Sequence, residues 1–409
     1  MKLIKKILFA SFRRVFYVIT LPVSLIILLM SPIYRIRLIG LQSSRIGHYA
    51  LNTELMLCAF DLGYFSRKEK TLFYNMSKPC NSQLAKMWKR VIPITPFSLL
   101  AIQIDQFLCL LSPKRYKKDP VKCLYESCFH GAIDKYGFLE KIKKPHLEFM
   151  ECEKKMGKSA LRKFGLKEGD KFVCLTVRDS GYLKRQYPET DWSYHDHRNS
   201  DVSNYKKATE YLADKGYFVF RMGKHVEKAF DVNHPNIIDY ANHPLRSDFM
   251  DIYLCAHCEF AISTTTGLDC VSQIFRRPVL LTNISPVFAE TLMWYPCHLF
   301  LPKLLKNNET GNFLPFSETT RICGSISGDI LDEFSKRKVS LVENTPEQLL
   351  EAVIEMEARL TGKWVETSED KLLQENFWEY YKQRRSIDVE NIYIKITAVF
   401  LRNNTMMMC

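Results

Sequence analysis

One stretch, FAISTTTGLDCVSQIFRRPVLLTN at residues 260–283, constrains the fold more than any other part of the sequence. The apolar run FAIS has the length of a buried strand, and PVLLTN predicts a second strand. Between them, Leu268, Val271 and Ile274 have the spacing of one helix face. A strand, a small polar loop, a helix and a strand make a βαβ unit with parallel strands. The loop at the carboxyl end of the first strand then faces the place where such sheets bind ligands.

The same alternation runs through the second half of the chain. The apolar runs KFVCLTV, YFVFRMG, NIIDYA and KVSLV predict strands, and segments with helical spacing separate most of them. Ser247 is the predicted N-cap of the helix SDFMDIYLCAHC, and Gly216 is predicted to end the helix before YFVFRMG. Strands that alternate with helices favour a parallel sheet covered on both faces. We therefore predict a doubly wound α/β domain over residues 166–362.

The first half of the chain begins in the same way. RLIGL and TLFYNM predict strands, YALNTELMLCAFDL predicts a helix between them, and Asn81 is a predicted N-cap for the next helix. These elements predict a second doubly wound, Rossmann-like domain over residues 37–165, facing the first across a cleft. Residues 1–36 are predicted to be a membrane-associated segment, and residues 363–409 a helical tail.

The distribution of charge favours a lipid surface over nucleic acid as a partner. The formal net charge is +13, and no acidic residue precedes Glu54. Basic clusters flank the uncharged run at residues 15–34, which is just long enough to span a bilayer, and Pro22 predicts a kink within it. A full span, a helix that dips into one leaflet and a buried helix of a soluble domain are the alternatives, of which we expect membrane contact. No zinc finger or RNA-binding signature is present, so we expect no nucleic-acid partner.

The 13 cysteines are scattered and do not resemble a disulfide framework. Cys255 and Cys258 have C-x-x-C spacing, but a structural zinc site needs four ligands and the sequence has no second close pair. We therefore predict that these cysteines pack in the core.

Four loops that follow predicted strands carry groups that suit a phosphate-bearing ligand. Because the carboxyl ends of parallel strands meet at one edge of a sheet, we expect these loops to converge. Guanidinium groups and the N–H groups at a helix N-terminus both bind diphosphates. The predicted substrate-binding residues are Gly47, Arg178, Arg198, Asn199, Arg221, Gly223, Lys224, Thr264, Thr265, Thr266 and Gly267. The plainer alternatives are an ion pair between Arg178 and a nearby aspartate, an N-cap turn at the threonines and a solvated lysine. No Walker loop or G-x-G-x-x-G fingerprint is present.

The polar loop after KFVCLTV is more than twenty residues long, and loops of that length are usually functional or disordered. It contains DWSYHDHRNSD, in which His195, Asp196 and His197 are potential metal ligands. A metal site and contact with a polar substrate are the alternatives, and we expect substrate contact.

Several stretches resemble a family of glycosyltransferases found with bacterial surface-polysaccharide genes. In the second half these are VCLTVRDSGYL, HRNSDVSNYKKATEYLADKGYFVFRMG, IIDYANHPLRSDFMDIYLCAHCEFAIST and GLDCVSQIFRRPVLLTN. RIGHYALNTEL, PCNSQLAKMW, LVENTPEQLLEAV, RLTGKW and SEDKLLQENFW also fit, so that the resemblance covers most of residues 35–380. The threonines at 264–266 depart from the Ser–Gly-like loop expected there. The resemblance implies a two-domain enzyme of the GT-B type, whose carboxyl half holds a nucleotide-sugar donor.

With this resemblance, we predict sugar transfer from a nucleotide sugar to a glycan acceptor, which is lipid-linked, in cell-surface polysaccharide synthesis. The protein is then expected at the cytoplasmic face of the inner membrane, as a peripheral or monotopic protein. Fixed cations would stabilise the leaving diphosphate, so no metal or other cofactor is expected. His48 is the predicted base for the acceptor hydroxyl, with Asp179, Asp196 and Glu54 as alternatives. The alternative functions are a sugar-nucleotide epimerase on the same scaffold and a catalytically silent, membrane-associated assembly protein.

Overall fold

A seven-stranded parallel sheet dominates the structure, which is a computed structural model of the chain. The structure describes residues 17–65, 69–129, 134, 136–285, 298–324, 329–382 and 394–408. The chain divides into two units: residues 1–133 with 142–149, and residues 134–141 with 150–409. The large sheet belongs to the second unit.

The described strands are β1 (Ile36–Leu41), β2 (Lys70–Asn75), β3 (Phe172–Thr176), β4 (Phe218–Arg221), β5 (Ile237–Ile238), β6 (Ala261–Ser263), β7 (Val279–Ile284), β8 (Leu299–Pro302), β9 (Leu304–Asn307), β10 (Val339–Val342) and β11 (Lys395–Ile396). The described α-helices are α1 (residues 17–30), α2 (Thr53–Asp61), α3 (Ser82–Val91), α4 (Ser98–Leu111), α5 (Pro113–Tyr116), α6 (Pro120–Phe129), α7 (Phe138–Lys141), α8 (Glu151–Lys163), α9 (Gly181–Gln186), α10 (Lys206–Asp214), α11 (Asp248–His257), α12 (Asp269–Ile274), α13 (Phe316–Gly324), α14 (Ile330–Lys336), α15 (Pro346–Leu360), α16 (Ser368–Lys382) and α17 (Ala398–Asn403).

The strand order of the large sheet is β11-β8-β7-β6-β3-β4-β5, and every pair is parallel. From β3 the chain proceeds outward through β4 to β5. It then returns to the other side of β3 and proceeds outward through β6, β7 and β8. The direction of winding therefore reverses between β3 and β6. In doubly wound sheets, ligands bind outside the carboxyl ends of the strands at this reversal, which we call the switch point.

The apolar sequence of the central strands explains their position. Every residue of β3, β6 and β7 is buried, as expected for parallel strands covered on both faces. The predicted caps are confirmed, since the Ser247 hydroxyl accepts a hydrogen bond from the Met250 N–H and Gly216 has a φ of +88°. Helices α10, α12 and α15 pack on β4, β6 and β7 respectively. The predicted parallel α/β fold of residues 166–362 is thus present.

The strand KVSLV does not belong to this sheet. It forms β10, which pairs antiparallel with β9 in a separate two-stranded ribbon. The ribbon covers a small core of its own, in which Leu305, Phe334 and Val339 are buried together. Because β9 begins directly after Lys303, the chain leaves the large sheet at this point and β10 follows it.

The described part of the first unit contains fewer strands than predicted. Its described residues form two parallel strands, β1 and β2, with one further parallel bridge between Phe73 and Ile94. The prediction of a second doubly wound domain is therefore wrong for the described residues. The apolar residues after α3 recur with helical spacing and form α4, whose Ala101 and Leu108 bury one side of β1 and β2.

The boundaries of the units also differ from those predicted. Helix α8 belongs to the second unit, where Gly157 lies against the ring of Tyr253 so closely that a Cβ atom would not fit. Residues after 363 belong to the same unit, because β11 pairs with β8 and the Arg402 guanidinium contacts Asp370 at 2.6 and 2.7 Å.

The predicted membrane segment lies partly outside the described residues, since residues 1–16 are not described. Residues 17–30 are helical, in agreement with the apolar run. No helix among the described residues combines the length and the apolar character needed to cross a bilayer.

Candidate functional site

The two strands that flank the switch point are joined directly by their carboxyl-terminal loops. The backbone N–H of Arg178, just after β3, donates to the hydroxyl of Thr264, just after β6, at 2.8 Å. The N–H of Thr264 donates in turn to the carbonyl of Thr176 at 3.2 Å. The structure therefore brings together two of the predicted binding loops at the place where doubly wound sheets hold ligands.

The guanidinium of Arg178 has no partner among the residues that the structure describes. Among the described residues no hydrogen bond or ion pair to its side chain is found, and its Nε is buried. The aspartates proposed as alternative partners are engaged elsewhere: Asp179 accepts from the Gly181 and Glu227 N–H groups, and Asp201 contacts Lys228. Burial and the neighbouring Arg198 lower the pKa of Arg178 to about 10. A partly buried guanidinium without a partner is costly unless an anion completes it.

Two further cations act, together with Arg178, on the buried His197. Arg198 donates to the carbonyl of Thr265, and its charge lowers the pKa of Arg178. Lys303, just after β8, is 4% exposed, and its Nζ donates to the carbonyl of Asn199 at 2.6 Å and to that of His197 at 3.4 Å. We call Arg178, Arg198 and Lys303 the cationic cluster.

His197 is held neutral beside this cluster. Burial, together with Arg198, His195, Lys303 and Arg178, lowers the pKa of His197 to about 3. The effect of Lys303 and Arg178 on this histidine shows that their charges are close enough to act on one buried group. An anion at this position would meet guanidinium and ammonium donors without an added histidine charge.

The threonine loop is organised differently from the prediction. The Thr266 N–H donates to Asp269 at 3.0 Å and to the Ser263 hydroxyl at 3.3 Å, so it is not directed at a ligand. Helix α12 has only six residues, and its own Asp269 lies at its N-terminus. The Thr266 N–H is thus engaged within the loop, and an anion site at this helix N-terminus stays a prediction.

Thr265 and Gly267 complete the loop. Thr265 has a φ of +56°, a left-handed conformation that costs a β-branched residue energy and is found most often at functional sites. This conformation presents the Thr265 carbonyl to Arg198. Gly267 is half-buried between Thr266 and α12. The loop thus positions an arginine of the cationic cluster through its backbone.

The side chain of Arg221 is engaged by partners within the protein. Its side chain is fully buried after β4, where it donates to Asp239 at 3.2 Å and to the Lys228 carbonyl at 3.1 Å. Asp179 lies 3.8 Å from the same guanidinium. The predictions that Arg221 binds a diphosphate and that Asp179 is a base are therefore not supported, because their charged groups are already engaged.

The remaining predicted residues of the second unit lie around these loops. Gly223, with a φ of +155°, follows β4 and accepts a hydrogen bond from Arg246, whereas Lys224 is exposed. Asp196 is exposed, and its carboxylate accepts from the Asn199 side chain at 2.8 Å. Asp196 is thus a solvent-accessible carboxylate whose charge acts on Arg178.

The predicted residues of the first unit lie after β1. Gly47 is buried, and His48 is half-buried at the start of a π-helical turn, His48–Asn52. Glu54 is fully buried and lies 3.1 Å from His146, whose other nitrogen lies 3.0 Å from Asp61. Burial lowers the pKa of His146, but its hydrogen bonds and charge interactions with Glu54 and Asp61 outweigh burial, and the pKa is raised. This ion-paired arrangement makes Glu54 a poor base.

The same residues are the described group that comes nearest to a metal site. Glu54, Cys58 and His146 each offer a ligand atom within 4.8 Å of the others. Glu54 and His146 already form an ion pair, so their contact does not by itself require an ion. Cys255 and Cys258 are buried in the core of the second unit with Cys174, in agreement with the prediction of core packing.

Lys303 was not predicted from the sequence. It follows HLFLP, which forms β8, and an apolar run that ends in a proline and a lysine was the available signal. The residues before it carry no clear period, so the sequence predicts neither this strand nor a binding loop at its carboxyl end.

Comparisons with known proteins were made for the sequence and for the structure. The sequence matches no protein-family model and no curated protein. The structure is similar to E. coli ADP-heptose LPS heptosyltransferase II, with 13% identity and a TM-score of 0.41 over 80% of this chain and 99% of that chain. It is also similar to E. coli heptosyltransferase WaaC with ADP, with 10% identity and a TM-score of 0.31 over 65% and 90% of the two chains. A family 9 glycosyl transferase from Veillonella parvula shows 9% identity and a TM-score of 0.35 over 61% and 80%. At these TM-scores the similarities are distant and partial.

Proposed function

We propose that the protein transfers a sugar from a nucleoside-diphosphate sugar to a hydroxyl group of a glycan acceptor. The observation that carries the proposal is the half-buried side chain of Arg178, whose guanidinium has no partner among the described residues and lies at the switch point. The sequence resemblance to glycosyltransferases supports the choice of sugar transfer among reactions of diphosphates.

The cationic cluster supplies the chemistry that such a reaction needs most. When the bond between sugar and phosphate breaks, negative charge develops on the leaving diphosphate. Arg178 can donate through its planar guanidinium group, Arg198 is held by the Thr265 carbonyl, and Lys303 supplies a buried ammonium charge. Because these donors are already positioned, they stabilise the charge without reorganisation. We therefore propose that transfer does not require a divalent metal, and that activity persists in a chelator.

Deprotonation of the acceptor hydroxyl requires a base with an accessible lone pair. Asp179 and Glu54 are engaged by backbone N–H groups and by His146 respectively. Asp196 and His48 are the remaining candidates. Asp196→Asn or His48→Gln is expected to lower kcat by about 100-fold or more for whichever is the base. Asp191→Asn, an exposed carboxylate in the same loop as Asp196, is the matched control.

The acceptor is proposed to be a lipid-linked glycan of the cell surface, assembled at the cytoplasmic face of the inner membrane. This part of the proposal is supported by the resemblance to glycosyltransferases found with surface-polysaccharide genes.

The test is a calorimetric titration of the purified protein with UDP, GDP, ADP, dTDP, CMP and inorganic pyrophosphate. We expect pyrophosphate and one nucleoside diphosphate to bind, and CMP to bind more weakly because it has a single phosphate. Release of that nucleoside diphosphate from its sugar conjugate in the presence of acceptor would establish transfer. If neither pyrophosphate nor any nucleoside diphosphate binds, the proposal is wrong.

A further inference from the structure

Helix α1 has its polar and apolar sides reversed relative to a helix of a water-soluble protein. Thr20 and Ser24 are completely buried against the rest of the first unit. By contrast, Val18 is 74% exposed and Leu29 is 78% exposed. The other large apolar side chains exposed in or just after this helix are Ile19, Leu21, Val23, Leu25, Ile26, Met30, Ile33 and Tyr34. A surface helix in water normally buries its apolar stripe and exposes its polar side.

The buried Ser24 hydroxyl is satisfied within the protein. The Ser24 hydroxyl donates to the Thr20 carbonyl one turn earlier at 2.7 Å, and it lies 3.5 Å from the Ile104 carbonyl in α4. The polar groups of α1 thus need no water on their side of the helix, and the opposite side offers almost only hydrocarbon.

Helix α4 lies beside α1 and extends the apolar surface. The rings of Tyr17 and Phe107 are 5.4 Å apart, and Ile27 and Leu28 pack against the cluster that contains Ala101. Helix α4 nevertheless leaves apolar side chains uncovered on its outer side. These are Leu99 at 67% exposure, Leu110 at 74% and Leu111 at 42%, with Phe97 at 67% just before the helix.

The charge on α4 points away from this surface. Asp105 is the one charged residue of the helix, and it is buried, where it contacts Lys122 and accepts a hydrogen bond from Tyr74 at 3.0 Å. Three lysines that follow the helix, Lys114, Lys117 and Lys118, are exposed. In the sequence, Lys2, Lys5, Lys6, Arg13 and Arg14 precede α1 without an intervening acid.

We propose that the outer sides of α1 and α4 together form one lipid-binding face, which inserts into the headgroup region of a bilayer that contains anionic lipid. Apolar helices flanked by basic residues bind at this depth, because the side chains reach the acyl boundary while the cations remain among the phosphates. A second copy of the chain fits the face less well than a bilayer does, since two such faces would bring their basic flanks together. The inference goes beyond sugar transfer and does not depend on it.

The contribution of α4 separates this inference from an amino-terminal anchor alone. Leu99 and Leu110 lie about 70 to 80 residues after α1 in the sequence, and no feature of residues 1–36 includes them. The double variant Leu99→Glu/Leu110→Glu places charge on the proposed face without touching the buried contacts of α4. Val365→Glu, at a 79% exposed apolar residue of the second unit, is the matched control.

The experiment is sedimentation of the full chain with vesicles of phosphatidylcholine, either alone or mixed with phosphatidylglycerol. We expect the wild type and the control to bind the mixed vesicles, and added salt to weaken binding because the lysine contribution is screened. The double variant is expected to bind at least about tenfold more weakly. Its pyrophosphate affinity, measured in the same preparation, should equal that of the wild type if the fold is intact.

Three results would overturn the inference. The first is absence of wild-type binding to both kinds of vesicle, and the second is equal binding by the wild type and the double variant. The third is a wild-type dimer that the double variant converts to a monomer, because a second copy would then cover the face. Failure of pyrophosphate binding would instead count against the proposed function and would leave the vesicle result to be judged separately.

Discussion

Replacing Arg178 with methionine is expected to stabilise the fold and at the same time to weaken diphosphate binding. The guanidinium makes no ion pair or hydrogen bond among the described residues, so the substitution breaks no such contact in the protein. Methionine fills a similar volume and carries no charge. A gain in stability together with a loss of binding is expected only if Arg178 is present to bind a ligand.

The size of the stabilisation follows from the pKa of the buried group. Burial and Arg198 lower the pKa of Arg178 from 12.5 to about 10. At about 1.4 kcal/mol per pKa unit, the folded state holds this charge at a cost of about 3 kcal/mol. The cost is present in full at neutral pH, because the side chain is protonated in both states there, and it declines only as the pH rises through the folded-state pKa. Some packing of the arginine stem is lost, so we expect a net gain of about 1 to 2 kcal/mol in the free energy of unfolding.

The loss of binding is expected to be larger in relative terms. A hydrogen bond from a charged donor contributes about 1.5 to 3 kcal/mol. Removal of the guanidinium should therefore weaken pyrophosphate binding by about 10- to 100-fold. Arg178→Lys keeps the charge but not the planar set of donors, so its pyrophosphate affinity should lie between those of the wild type and the methionine variant.

The assays are urea denaturation and calorimetric titration with pyrophosphate. Arg185→Met, at an exposed arginine of α9, is the control and should change the free energy of unfolding by less than about 0.5 kcal/mol. The reasoning is refuted if Arg178→Met destabilises the protein by more than about 1 kcal/mol, or if it binds pyrophosphate as the wild type does.

Three other substitutions test separate parts of the structure. Lys303→Met should weaken pyrophosphate binding by about tenfold. Unlike the Arg178 variant, it should lower the free energy of unfolding by about 1 to 2 kcal/mol, because two backbone carbonyls lose their donor. A stabilised Lys303→Met variant in urea denaturation would contradict this. His146→Gln should destabilise the protein more at about pH 6 than at about pH 9, because the pKa of His146 is raised and its stabilisation is lost as the pH rises through that value; a difference that grows with pH would show that the ion pair is not the cause. Thr265→Gly should raise the free energy of unfolding by about 1 kcal/mol by relieving the positive φ, while its carbonyl still accepts from Arg198; a lower value in the same denaturation assay would rule out strain at this residue.

Long or strongly apolar elements of the second unit could be predicted from the sequence. β3 and β7 are buried along their whole length and begin with continuous apolar runs, and the Ser247 cap has a local chemical signature. β8 and β11, of four and two residues, were missed, although the equally short β4 and β5 were predicted from the apolar runs around them. β10 was recognised as a strand, but its antiparallel partner could not be foreseen, because pairing depends on where the preceding chain leaves the sheet.

The candidate site could likewise be predicted only in part from the sequence. Arg178 and Arg221 both stand at the end of an apolar strand, so the sequence predicts the same role for both. Their roles differ because Asp239 happens to reach one guanidinium, whereas no described acid bonds to the other. Such a difference depends on side-chain direction at adjacent strands, and residue spacing carries no information about it. The position of Arg178 beside Thr264 could be predicted, because neighbouring parallel strands end together.

The pairing of β11 with β8 sets the time at which the large sheet can be completed during synthesis of the chain. The large sheet acquires its outermost strand only when the ribosome has added about 220 residues after β3. About 90 of these residues follow β8, so at roughly 5 to 20 residues per second the edge of β8 waits about 5 to 20 s for β11. During this interval the edge of β8, next to the lysine that faces the site, is open to pairing with other nascent chains. Slow synthesis through this region would thus be expected to raise the demand for chaperones.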